Sequence, residues 1–136
     1  MDKKEYLSQY KYVQQEFDRL LDERAKWIGR ATKMTPTYTG MPHGGDGEDR
    51  MQEAIEQVFE VEEKIFDKAK ELSKLRDQIE SSIRTVGNYK LESVLRYKYI
   101  DDLTLSQIAS KMNYCYKQVK RYHKEALKKM SPNVPF

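Results

Sequence analysis

The sequence predicts an all-α fold: a long, coiled-coil-like N-terminal helical hairpin followed by a helix–turn–helix domain. Three observations carry the prediction. Apolar residues recur in steps of three and four along two long stretches. A segment rich in Gly and Pro separates those stretches. Near the end, LTLSQIASKMNYCYKQVKRYHKEALKKM (residues 103–130) reads as two short helices joined by a tight turn, the second loaded with cations.

The first helix is expected over 3–33. Tyr6, Tyr10, Val13, Phe17, Leu20, Trp27 and Ala31 follow alternating steps of four and three, with Arg24 filling the one gap. Leu7, Leu21 and Ile28 widen the stripe. TPTYTGMPHGGDG at 35–47 holds two prolines and four glycines, so no helix crosses it. Its Tyr38, Met41 and Pro42 read either as packing on the hairpin tip or as a contact surface for another protein. Asp46 or Gly47 is placed to cap the second helix, expected over about 48–86.

The expected seam of that second helix is Ile55, Val58, Glu62, Ile65, Ala69, Leu72, Arg76, Ile79, Ile83 and Val86, eight of them apolar. Glu62 and Arg76 interrupt it and are expected to fix register. At the rise of an α-helix the second helix spans roughly 58 Å and the first about 46 Å. Apolar surface is left over, which predicts a homodimer. The hairpin, 1–87, therefore reads as an oligomerisation or partner-binding domain.

Gly87 ends the long helix and Asn88 caps the next, over 89–100, with Leu91, Val94, Leu95 and Tyr99 inward. Asp101 and Asp102 break it. Thr104 and Gln107 form a T-x-x-Q capping box before the apolar run Leu105, Ile108, Ala109 and Met112. Asn113 tolerates the left-handed conformation of a tight turn. A last helix over about 116–130 turns Val119, His123, Ala126, Leu127 and Met130 inward. Residues 88–130 thus form the second domain, and 131–136, with Pro132 and Pro135, an extended tail.

Composition narrows the function. Of the 136 residues, 35% are charged and 38% hydrophobic, a soluble, helix-prone mixture. No apolar run approaches the ~18 residues of a membrane span, so no membrane partner is expected. MDKKEYLSQYKY lacks the apolar stretch of a secretion signal. One cysteine, Cys115, allows no internal disulfide and suits the cytoplasm. Cys115 reads as a half-buried structural thiol or a redox sensor.

His43, Cys115 and His123 do not have metal-ligand spacing. GGDG at 44–47 follows no strand and lacks a P-loop lysine. No cofactor and no enzyme activity are expected, and His123 reads as a core-edge residue bonded to a backbone group.

Charge is unevenly placed. Residues 1–87 carry 15 Lys and Arg against 18 Asp and Glu, whereas 88–136 carry 10 against 4. The C-terminal part is suited to a polyanion. The last helix turns Tyr116, Lys117, Gln118, Lys120, Arg121 and Lys124 away from its apolar face, the residue types that contact phosphates and base edges. Gln118 suits adenine, and Lys117 or Arg121 guanine.

VLRYKYIDDLTLSQIASKMNYCYKQVKRYHKEALKKM resembles region 4 of bacterial sigma-70-type factors, a leading helix followed by a DNA-reading helix–turn–helix. The whole chain, including ATKMTPTYTGMPHGG at 31–45, is similar to small sigma-factor-like phage and prophage proteins of Gram-positive bacteria, related to the ArpU- and RinA-type late transcription regulators. The resemblance implies a recognition helix starting after Cys115. Tyr116, Lys117, Gln118, Lys120 and Arg121 would face the major groove of double-stranded DNA, and Lys124 and Lys128 would track its backbone. Cys115 departs from the hydroxyl cap usual before such a helix, and His123 from an aliphatic core residue. Nothing resembles the segment of sigma factors that melts the −10 element. The implied role is therefore a late-gene activator acting with host RNA polymerase in the bacterial cytoplasm. A small terminase subunit for DNA packaging and a protein–protein module without DNA binding are the alternatives.

Overall fold

A computed structural model describes residues 2–33 and 46–131. The readings of the loop, with Tyr38, Met41 and Pro42, and of the tail beyond Ser131 lie outside the described residues. Among the described residues the elements are all helical, as expected. They are α1 (Lys3–Lys33), α2 (Asp46–Arg84), α3 (Tyr89–Leu95) running into a π-helical turn (Arg96–Ile100), α4 (Leu105–Met112) and α5 (Tyr116–Lys129).

Local chemistry sets the boundaries. Gly87 takes φ +75°, a conformation that costs a side chain about 1 kcal/mol or more, and so turns the chain out of α2. The Asn88 side chain then accepts from the N–H groups of Lys90 (3.0 Å) and Leu91 (3.4 Å) and caps α3. The capping box of α4 is reciprocal: Gln107 N–H donates to Thr104 Oγ1 at 3.2 Å, and Thr104 N–H to Gln107 Oε1 at 2.9 Å. Asn113 ends α4 at φ +60°. The helix expected over 89–100 widens into the π turn at Arg96, and Asp102, at φ +55°, closes it.

The described residues fall into two compact units, one gathering Met1–Gln14 with Glu71–Phe136, the other Gln15–Lys70. In the first, the start of α1 lies antiparallel to the end of α2. Tyr6, Leu7 and Tyr10 share a core with Ile79, Ile83, Val86, Leu91, Leu95, Tyr99, Ala126 and Met130. Polar groups inside it are paired: the Tyr6 hydroxyl bonds Ser82 Oγ at 2.9 Å. The Lys3 ammonium donates to the carbonyls of Leu127 (2.8 Å) and Lys128 (3.2 Å). A cation there satisfies orphan carbonyls and offsets the negative end of the α5 dipole. Arg96 meets Glu80 at 3.0 Å, tying the π turn to α2.

In the second unit, Ala54 and Val61 are buried, while Phe17, Leu20, Trp27, Val58 and Ile65 are half-buried. Lys68 donates to Glu16 at 2.7 Å and holds that carboxyl below the usual carboxylate range.

The seam of α2 corrects the sequence reading. Its inward line is Ala54, Val58, Val61, Ile65, Lys68, Leu72, Leu75, Ile79, Ser82 and Val86, every one buried or half-buried. The expected line shares Val58, Ile65, Leu72, Ile79 and Val86, its Ala69 is half-buried and its Ile83 is fully buried in the core, but at Ile55, Glu62 and Arg76 it sits one residue too far along. Ile55, Glu62 and Arg76 are exposed, so Glu62 and Arg76 stand outside this inward line. Each line holds eight apolar residues, so hydrophobicity does not choose between them. The polar members do. Lys68 reaches Glu16 and Ser82 reaches Tyr6, whereas Glu62 or Arg76 would carry a charge into the seam. Ile79→Ala should therefore cost about 2–5 kcal/mol. Arg76→Ala should stay within about 0.5 kcal/mol of wild type. Urea denaturation of both variants checks this, and equal losses would restore the other register.

Candidate nucleic-acid interface

The C-terminal helices are assembled around a second cluster of Val94, Ile108, Ala109 and Val119, with Leu103, Leu105, Met112 and Tyr114 against it. Ala109 is small where α4 and α5 approach, and the Tyr114 N–H closes the turn on its carbonyl at 3.0 Å. α5 then has no rotational freedom. Val119, His123, Ala126 and Met130 are buried, so the opposite face is turned outward.

That outward face carries the predicted cations. Lys117, Lys120, Arg121, Lys124 and Lys128 are all exposed. At about 100° per residue they fall within an arc of about 100° on the helix surface. Tyr116 stands exposed at the start of α5. Its first turn holds no acid, so the positive end of the helix dipole adds to the field. Glu125 lies beyond the arc, with its carboxylate 3.3 Å from the Lys129 ammonium.

Gln118 is not brought to this arc. It sits about 100° round the helix from Lys117, half-buried, with its amide donating to the Tyr122 hydroxyl at 2.7 Å. Cys115 forms no side-chain cap bond, in keeping with its weak capping chemistry, and it is exposed rather than half-buried.

His123 has a partner the sequence did not give it. The expected backbone bond is absent, and its Nε2 lies 2.7 Å from the Tyr99 hydroxyl, a bond inside the core. Tyr99 reaches it because the π turn brings that residue to the buried side. Burial, then the ammonium groups of Lys98 and Lys4, push the His123 pKa down to about 4. Burial, then Asp2, pushes Tyr99 up to about 12. Both groups are neutral near pH 7, and one hydrogen bond joins the phenol to the imidazole. Spacing gave no signal for this pair or for the Lys3 clamp, because their partners lie 24 and 124 residues away in the chain.

Among the described residues, no three His, Cys, Asp or Glu side chains gather as a metal site, and no helix is long and apolar enough to cross a membrane. The family described as "Protein of unknown function (DUF1492)" matches residues 33–131, a span that contains α2 to α5. Neither a curated protein nor a solved structure matches the chain significantly.

The buried histidine makes stability depend on pH. Its folded pKa of about 4 lies below the usual 6.5. Between those values the unfolded chain takes up a proton that the folded chain refuses, so stability falls as pH drops from 6.5 to 4. His123→Asn should lose less stability across that window than wild type, as read by urea denaturation at both pH values. Parallel losses in the two proteins would contradict a neutral buried ring.

Proposed function

The chain belongs to the DUF1492 family, and we propose that it is a sequence-specific DNA-binding regulator of transcription. The observation that carries this reading is the cationic arc on α5. Five exposed cations stand on the second helix of a capped helix–turn–helix whose other face is fixed in the core. In this reading Lys120, Lys124 and Lys128 neutralise backbone phosphates, and Lys117 and Arg121 offer base contacts in the major groove. Tyr116 flanks them at the helix start, and Gln118 bonds Tyr122, whose ring packs edge-on against Tyr114 of the turn. The likeness to sigma region 4 and to phage late regulators supports a late-gene activator that acts with RNA polymerase in the bacterial cytoplasm.

A homodimer completes the reading, with paired half-sites on the DNA. Ile55, Phe59 and Phe66 are 40%, 64% and 60% exposed, and they fall on one stripe of α2 in the unit Gln15–Lys70. Apolar surface of this kind marks protein–protein contacts.

Two measurements test the proposal. Changing Lys120, Arg121 and Lys124 together to Ala should weaken duplex binding. It should also flatten the slope of log affinity against log salt by about 2–3 units. An unchanged slope in a folded variant would remove α5 from the interface. Light scattering should give a wild-type dimer at micromolar concentration, and a folded monomer for Phe59→Asp with Phe66→Asp. A monomeric wild type would contradict the dimer, and a ring of eight or more copies would favour a DNA-packaging role.

A further inference from the structure

Beside the buried His123–Tyr99 pair lies a cavity of about 230 Å³, within the unit that gathers Met1–Gln14 with Glu71–Phe136. Lys4, Ser8 and Lys11 of α1 form one wall, and Lys98, Tyr99 and Asp102 another, with His123 of α5 beside them. Three lysines thus line it with one aspartate, Asp102, whose carboxylate lies 3.6 Å from the Lys11 Nζ and is itself exposed, while the Asp2 carboxylate acts on Tyr99. Such a volume is below the usual range of drug-sized sites and suits a small anion.

The histidine adds a polar atom. With Nε2 engaged by the Tyr99 hydroxyl, Nδ1 is the ring nitrogen left to meet a ligand. Among the described residues no buried side-chain nitrogen or oxygen lacks a partner, so Nδ1, which bonds no other residue, is open to solvent. We propose that this cavity binds a phosphate group, held by the ammonium groups of Lys4, Lys11 and Lys98 and by the Ser8 hydroxyl and His123 Nδ1–H.

Charge-assisted bonds of these types are the strong ones for a tetrahedral oxyanion. Asp102 is an opposing charge, and its ion pair with Lys11 competes with an anion for that ammonium. On α5, Lys120 is the helix-surface neighbour of His123 three residues before it, so the cavity and the cationic arc adjoin. The phosphate is therefore either one phosphodiester of a DNA strand or a free phosphate. The proposal does not depend on the DNA-binding reading, because inorganic phosphate tests it alone.

The chain has two histidines, His43 and His123, so ring NMR signals report the site directly. In a His43→Gln background the full chain is titrated with inorganic phosphate, and separately with a short duplex, at fixed ionic strength balanced by chloride. The expected result is a saturable shift of the His123 ring signals. A shift with phosphate assigns the site to the free anion, and a shift with duplex alone assigns it to the DNA backbone. Lys98→Ala should weaken the titration several-fold. Asp102→Asn keeps a residue that tolerates φ +55° while removing the negative charge, so it should tighten binding several-fold. No saturable shift with either titrant, or an Asp102→Asn protein that binds no better than wild type, would overturn the proposal.

Discussion

Everything at the C-terminal end depends on how the start of α1 and the end of α2 are locked onto α5. Leu7, Ile79, Leu95, Ala126 and Met130 are almost fully buried in one shared core. At roughly 25 cal/mol per Å² of apolar surface, such burial is the dominant stabilising contribution. The Lys3 ammonium on the carbonyls of Leu127 and Lys128 fixes the end of α5 from outside, and Ser131 N–H, 2.8 Å from Thr85 Oγ1, ties down the residue beyond it. α5 cannot roll without exposing Ala126 and Met130 or forcing charge into the core. Its cationic arc is outward because of what its other face buries.

The same constraint links the core to the cavity beside His123. Tyr99 lies in the π turn, and such irregular turns are often found where a side chain must be re-aimed. Here the turn aims a phenol at a histidine that no apolar partner could satisfy. Burying the neutral pair costs less than burying an imidazolium among the ammonium groups of Lys98 and Lys4.

What was legible in the sequence was whatever local chemistry decides. Asn88, Thr104 with Gln107 and Asn113 each carry their own boundary signal, and α3 and α4 begin, and α4 ends, where those residues require. The cations of α5 were legible because a period of 3.6 separates them from Val119, Ala126 and Met130. The phase of the α2 seam was not, since two lines of eight apolar residues compete. Only partners on α1, Glu16 for Lys68 and Tyr6 for Ser82, break the tie. The orientation of Gln118 was illegible for a like reason: the Tyr122 hydroxyl, one turn along the same helix, takes its amide. Polar residue type suggested a base reader, but a neighbouring acceptor redirects it.

The central claim, that the outward arc of α5 meets DNA, is tested most directly by lysine-modification footprinting of the intact chain with and without duplex. The account predicts that Lys117, Lys120, Lys124 and Lys128 become protected, while the exposed Lys64, Lys70 and Lys74 of α2 react as before. Equal protection of both groups, or none on α5, would contradict it.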